Sequence, residues 1–190
     1  MGKEHLREQN LQKAIDGYKE ALKVLNKIDS SFEYTEIQFL IGNAYVHLAE
    51  VRDKEKNVCL AIDAYKEALK VYTVDAFPVN YATTQNNLGN AYRHLAGVRD
   101  PEVNLERAIK AYEEALTVYT KQAFPVDYAM TQNNLGNAYC DLAGVRDPEV
   151  NLERAIKAYE EALTVYTKQA FPVNYVKVSN NLSRAKSQKA

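Results

Sequence analysis

The side chains best suited to chemistry are few, and three of them recur at one spacing. His47, His94 and Asp141 lie 47 residues apart, and imidazole and carboxylate groups are common ligands of transition metals. If each residue sits on its own packed helix, however, the helices lie about 8–10 Å apart, which spreads the three ligands too far for one ion. We therefore expect three polar surface residues and no metal site.

A second candidate for chemistry is the thiol of Cys140. At the same spacing Cys140 aligns with Val46 and Arg93, so no catalytic partner recurs beside it. Cys59 falls elsewhere in the repeat, and the sequence contains no CxxC pair, Gly-rich phosphate loop, HExxH or GxSxG pattern. We expect two reduced thiols in a cytoplasmic protein that is not an enzyme and needs no cofactor.

The composition is that of one ordinary globular domain. Hydrophobic residues make up 46% and charged residues 26% of the 190 residues. The 24 basic and 25 acidic residues nearly balance, whereas nucleic-acid binders usually carry a basic surplus. No apolar run approaches the roughly 18 residues of a membrane span. We therefore expect neither nucleic acid nor membrane as a partner.

The spacing of 47 residues belongs to an internal repeat that covers most of the chain. The segment LAGVRDPEVNLERAIKAYEEALTVYTKQAFPV starts at Leu95 and again at Leu142. All 14 tyrosines fall into four columns at this spacing: Tyr18/Tyr65/Tyr112/Tyr159, Tyr34/Tyr81/Tyr128/Tyr175, Tyr45/Tyr92/Tyr139 and Tyr72/Tyr119/Tyr166. Tyrosines used for catalysis would not recur in every copy, so the columns predict packing roles.

Each unit contains two amphipathic helical patterns. NLERAIKAYEEALTVY places Leu105, Ala108, Ile109, Tyr112 and Ala115 on one helix face, with the recurring i, i+3, i+4, i+7 spacing. The other pattern runs YAMTQNNLGNAYCDLA, and prolines separate the patterns within and between units. No segment alternates with the period of a strand. The sequence predicts an all-α solenoid of helix hairpins.

LGNAY followed by AIxAYxxAL resembles the tetratricopeptide repeat (TPR). Leu88, Gly89 and Tyr92 match the pattern of the first helix. Ala108, Tyr112 and Ala115 match that of the second helix. The 47-residue unit is longer than usual, as in repeats of bacterial and archaeal multidomain signalling proteins and of kinesin light chains. Gln38, Gln85 and Gln132 replace the family's large aromatic residue. The resemblance implies a right-handed superhelix whose first helices line a concave groove.

Within a single domain over 1–190, we expect a half-repeat, three helix pairs and a cap. The half-repeat covers about 11–28, the pairs 34–74, 81–121 and 128–168, and the capping helix 174–187. In the cap, Ser183 replaces the glycine of Gly136 and Lys186 replaces Tyr139, which makes its outer face polar.

The N-terminal end carries no such polar signal. Three explanations are open. Residues 1–10 could fold over this end, the chain could be a piece of a longer protein, or the end could pair with another copy of the chain. Because the first helix carries Leu22, Val24, Leu25 and Ile28 with no preceding helix to cover them, we expect a homo-oligomer through this end.

The resemblance also implies which residues line the groove. They lie three before, one after and four after the repeating glycine: Phe39, Asn43 and Val46; Asn86, Asn90 and Arg93; Asn133, Asn137 and Cys140; Asn180, Arg184 and Ser187. The asparagines form a ladder whose amides offer donors and acceptors to a peptide backbone. The alternative is that these amides bond to each other and to water.

The sequence thus predicts a scaffold that binds a protein or peptide in its groove. The alternative is a module for structural self-assembly or homodimerisation, part of a larger protein.

Overall fold

The computed structural model describes residues 2–25 and 31–189, which form eight α-helices and no strand. The helices are α1 (Gly2–Val24), α2 (Ser31–Ala49), α3 (Lys54–Ala68), α4 (Pro78–Ala96), α5 (Pro101–Leu116), α6 (Pro125–Ala143), α7 (Pro148–Leu163) and α8 (Pro172–Lys189). The prediction of an all-α fold is confirmed. We call α2, α4, α6 and α8 the A helices and α1, α3, α5 and α7 the B helices.

The prolines lie at the first residue of a helix rather than between helices. A first helical residue has no intrahelical partner for its N–H, and the fixed φ of proline already suits the helix there. The residue before α3, α5 and α7 is in each case an aspartate in the left-handed region, with φ of 44° at Asp53, 45° at Asp100 and 44° at Asp147. These aspartates reverse the chain between an A helix and the next B helix.

The A helices α2, α4 and α6 each pack along the B helix that follows, and glycine permits the contact. A Cβ atom built on Gly89 would lie 2.6 Å from a ring carbon of Tyr112, and the same pairing joins Gly42 to Tyr65 and Gly136 to Tyr159. Tyr112 and Ala115 are fully buried, which confirms the predicted core position of both.

The two kinds of helix stack differently. Among the described residues, successive A helices bring Cα atoms within 8 Å of each other, whereas no two B helices do. The B helices pack on the A helix that follows them, and α3 and α5 also bond to an arginine in the next A-to-B loop. The Nη1 of Arg99 donates to Glu55 at 3.0 Å, and that of Arg146 to Glu102 at 2.7 Å.

The N-terminal helix differs from its predicted range. It begins at Gly2 rather than near 11, so residues 3–10 continue the helix instead of folding over its face. Arg52 holds this extension by donating to Glu8 at 2.8 Å and to Gln12 at 2.6 Å. The helix ends at Val24, which is 86% exposed, and Ile28 lies outside the described residues.

We predict that Gly89→Ala destabilises the protein although alanine is the better helix former. Alanine gains about 1 kcal/mol of helix propensity, but its Cβ meets the buried ring of Tyr112, and such overpacking costs about 1–3 kcal/mol. Chemical denaturation measures the change. The matched control is Gly17→Ala, because nothing lies within 4 Å of a Cβ built on Gly17. That variant should gain stability, and equal effects at both sites would contradict the close contact.

Candidate ligand-binding surface

The A helices carry an asparagine directly after each close-packed glycine. The hydroxyl of the buried tyrosine on the following B helix donates to its side-chain oxygen. These bonds run from Tyr65 to Asn43 at 2.7 Å, from Tyr112 to Asn90 at 2.8 Å and from Tyr159 to Asn137 at 2.9 Å. Burial raises the pKa of all three hydroxyls above the ordinary 10.0, so they stay protonated and able to donate well into the alkaline range.

The three bonds orient the amides in the same way. In each bond the asparagine Oδ1 is the acceptor. The Nδ2 groups of Asn43, Asn90 and Asn137 make no hydrogen bond to any residue that the structure describes. All three asparagines are half-buried. The result is a row of amide donors, one on each of three successive A helices. We call the surface formed by Asn43, Asn90, Asn137 and their neighbours Arg93 and Arg184 the A-helix surface.

A second column of asparagines links neighbouring A helices. Their amide nitrogens donate across to the preceding A helix, from Asn87 to Asn43 at 3.0 Å, from Asn134 to Asn86 at 3.2 Å, and from Asn181 to Asn133 at 3.2 Å and to Asn137 at 3.3 Å. Asn181 was not among the predicted site residues, although it follows Asn134 by the same 47 residues. This column is structural, because its donors are used inside the protein.

Two of the predicted groove residues are not open to a ligand. Asn86 and Asn133 are only 3% and 7% exposed, and their oxygens accept the amides just described. In the structure, the side-chain oxygens of this pair thus bond to other asparagine amides, which is the arrangement that the alternative describes. Phe39 occupies the same repeat position in the first copy, half-buried with its ring 6.1 Å from that of Tyr65. Because the side chain of Phe39 offers no acceptor, the amide of Asn87 donates to Asn43 instead.

The remaining predicted residues lie along the A helices with different exposure. Val46 on α2 is half-buried, as are Arg93 on α4 and Cys140 on α6, while Asn180 and Arg184 on α8 are exposed. Burial raises the pKa of the Cys140 thiol, which therefore stays protonated, and a protonated thiol is a poor nucleophile.

Positive charge gathers towards the middle and the C-terminal end of this surface. The Nε of Arg93 donates to Asp141 at 2.6 Å, whereas Arg184 makes no ion pair with any described residue. A cleft of about 400 Å³ is lined by Lys54, Arg93, His94 and Asp141 among others. Burial and the neighbouring charges of Lys54 and Arg93 lower the pKa of His94, so the imidazole is neutral near pH 7.

The three residues considered as metal ligands do not form one cluster. Asp141 is bonded to Arg93, and His47 lies 3.9 Å from Glu50. Within residues 2–25 and 31–189 no group of three or more His, Cys, Asp or Glu side chains is arranged to hold a metal ion. In the same ranges, no helix is long and apolar enough to span a bilayer.

Comparison with known proteins identifies the fold and nothing narrower. No protein-family model matches the chain, and no curated protein matches it. Among solved structures, it resembles the crystal structure of BtubC (BKLC) from P. vanneervenii, with a TM-score of 0.56 and 23% sequence identity over 98% of this chain and 76% of that one. With eight helices packed on their neighbours in the described ranges, the chain is a helical repeat protein.

We predict that Asn86→Ala destabilises the fold by about 1–3 kcal/mol, because it removes the oxygen that accepts from Asn134 and Thr131 in a buried setting. Thermal denaturation measures the loss. The control is Asn180→Ala, the same repeat position on α8, where the side chain is exposed. A change of less than about 0.5 kcal/mol is expected there, as is usual for surface substitutions. Similar losses in both variants would contradict the buried network.

We also predict that stability falls steeply in alkali. The pKa values of Tyr65, Tyr112 and Tyr159 lie above the ordinary 10.0 in the folded protein. Because the unfolded chain releases these protons first, the stabilisation is complete below pH 10 and is lost as the pH rises towards the folded pKa values. Ultraviolet titration should show that these tyrosines ionise only with unfolding. If these three tyrosines ionised near pH 10 while the protein stayed folded, their burial would be contradicted.

Proposed function

We propose that the chain is a TPR-type scaffold that binds an extended segment of another protein along the A-helix surface. The residues that carry the TPR resemblance support this class. Gly89 lies directly against the ring of Tyr112, as the roles of small and aromatic residues in such a repeat require. Contact between successive A helices, but not between B helices, supports a curved stack with the A helices on its inner side.

The observation that carries the proposal is the row of oriented amides. The side-chain oxygens of Asn43, Asn90 and Asn137 each accept a hydrogen bond from a tyrosine hydroxyl. The two N–H donors of each amide stay available at the surface. A peptide backbone offers carbonyl acceptors regardless of its sequence. Packed helices lie about 8–10 Å apart, and an extended backbone rising about 3.1 Å per residue covers that distance in roughly three residues. One carbonyl in about three therefore meets one amide.

The ends of the surface favour different side chains of the ligand. Phe39 and Val46 make the α2 end apolar, so it suits a hydrophobic residue. Arg184, which has no ion-pair partner among the described residues, and Lys54 favour an acidic residue further along. This asymmetry fixes the direction in which the segment lies.

The same features support a non-catalytic role. Cys140 is held protonated by burial, and the abundant carboxylates near the helix ends pair with arginines or lysines on the surface. Cys59 and Cys140 are both free thiols, which suits a reducing cytoplasm.

The test uses asparagine-to-aspartate changes, which keep the oxygen that accepts from tyrosine and remove the N–H donors. Peptides selected by display on the wild-type protein are titrated calorimetrically against the double variant Asn90→Asp/Asn137→Asp. Two lost hydrogen bonds at about 0.5–1.5 kcal/mol each weaken binding by roughly ten- to a hundredfold.

The control for added charge is Gln122→Glu/Gln169→Glu, which alters two exposed loop amides at equivalent repeat positions. This variant should bind as the wild type does. Melting temperatures should match in all three proteins, because the Tyr112 and Tyr159 hydroxyls keep their acceptors. If no peptide is enriched, or if both double variants bind equally, the proposed surface is wrong.

A second candidate function is self-assembly through α1. The observation in its favour is the exposed apolar end of that helix, where Val24 is bare and Leu22 is half-buried. Light scattering over a concentration series separates the two functions, since only assembly makes the mass rise with concentration.

A further inference from the structure

A small cavity lies at the contact between α2 and α4. It encloses about 240 Å³ and is lined by Phe39 of α2, by Tyr72 after α3, and by Val79, Asn80, Thr83 and Thr84 of α4. None of these side chains is charged, although charged residues make up 26% of the chain. Tyr72 and Thr84 are buried, whereas Val79 is 45% exposed, so the cavity reaches from the core to the surface.

The cavity depends on two positions of the α2–α4 contact that depart from the repeat. Phe39 stands where α4 and α6 carry Asn86 and Asn133, so an aromatic ring replaces an amide. Thr83 stands where α6 carries the longer Met130. The contact therefore combines an apolar wall with a short side chain, and the space between them is left open.

The cavity lies on the same side of the A helices as the row of amides. Phe39 precedes Asn43 by four residues and Thr83 precedes Asn90 by seven, and both spacings keep residues on one helix face. At a rise of 1.5 Å per residue, Phe39 lies about 6 Å from Asn43 along α2. Because the amide row crosses the helices, a backbone bound to it passes beside the cavity, and a side chain of that segment enters it.

We propose that this cavity binds one large apolar side chain of the segment held by Asn43 and Asn90, and so sets the register of that segment. The inference rests on the proposed function, because the amide row brings the segment past the cavity. Backbone carbonyls repeat along any segment, so the amides alone leave it free to shift along the surface. A side chain that must enter one cavity removes that freedom.

The lining determines which side chain binds. A charged side chain would lose its hydration in the cavity and gain no ion pair with any of the lining residues. An apolar cavity of about 150 Å³ already holds a benzene molecule, so the volume of about 240 Å³ admits a leucine or phenylalanine side chain. The half-buried ring of Phe39 and the buried ring of Tyr72 give that side chain apolar surface on which to pack.

The experiment uses the peptides that display selects on the wild-type protein. Each residue of a selected peptide is replaced in turn by alanine, and the affinities are measured by calorimetric titration. Alanine at one apolar position should weaken binding at least about tenfold, because the burial of that side chain is lost.

Three protein variants locate the contact. Thr83→Met fills the cavity with the side chain that α6 carries at the equivalent position, and it should weaken the parent peptide about as much as alanine does. The alanine peptide should bind equally to this variant and to the wild type, because the contact is already absent. Val79→Asp, at an exposed position, puts a carboxylate at the cavity and should also weaken the parent peptide. The control is Thr164→Met, at an exposed threonine directly after α7, which should bind as the wild type does.

Toluene tests the cavity without any peptide, because it is the side chain of phenylalanine as a free molecule. Its titration should shift the NMR signals of the Val79 methyl groups in the wild-type protein, and Thr83→Met should remove the shift. Shifts that persist in Thr83→Met would place the molecule on another surface and count against the proposal.

The results separate this inference from the proposed function. If Asn90→Asp/Asn137→Asp weakens the peptides but neither Thr83→Met nor any alanine replacement of an apolar residue does, the segment lies on the amides without entering the cavity. The inference alone is then wrong. If no peptide is enriched, both are wrong, whether or not toluene shifts the Val79 signals. A charged peptide residue at the position that Thr83→Met affects would also overturn the inference.

Discussion

The contact between a glycine of one helix and the face of a tyrosine ring on the next determines the spacing of every hairpin in this protein. A single Cβ atom at Gly42, Gly89 or Gly136 would come within 2.5–2.6 Å of the ring. The tyrosine ring is therefore sealed from water, and its hydroxyl reaches the asparagine that follows the glycine. The residue that packs the hairpin thus also orients a surface amide.

That coupling links the core to the candidate binding surface. An isolated surface asparagine rotates freely, and fixing it costs conformational entropy. Asn90 and Asn137 are already fixed by hydroxyls whose pKa values are raised by burial, so they remain donors of one orientation over the physiological pH range. A ligand that binds to pre-oriented groups loses less entropy than one that must order them.

Much of the fold could be predicted from spacing alone. The tyrosine columns identified the core positions, since Tyr65, Tyr112 and Tyr159 are all buried. Which of the groove residues are exposed to solvent could not be predicted. Spacing of i, i+4 and i+7 places Asn133, Asn137 and Cys140 on one stripe, but such a stripe is wide. Whether its edge faces solvent or the crevice next to the neighbouring A helix depends on how closely the helices stack, and Asn133 falls in the crevice. The extension of α1 was missed because Arg52, distant in sequence, holds it in place.

Nearest-neighbour packing has a consequence for how the protein folds and unfolds. Each described helix contacts only helices within two positions along the chain, so no contact joins distant parts of the stack. Such topologies form quickly, and their cooperativity weakens with distance along the stack. We expect the central hairpins, with neighbours on both sides, to exchange amide hydrogens most slowly. Helix α1, which among the described residues rests on α2 alone, should open many times for each opening of the centre.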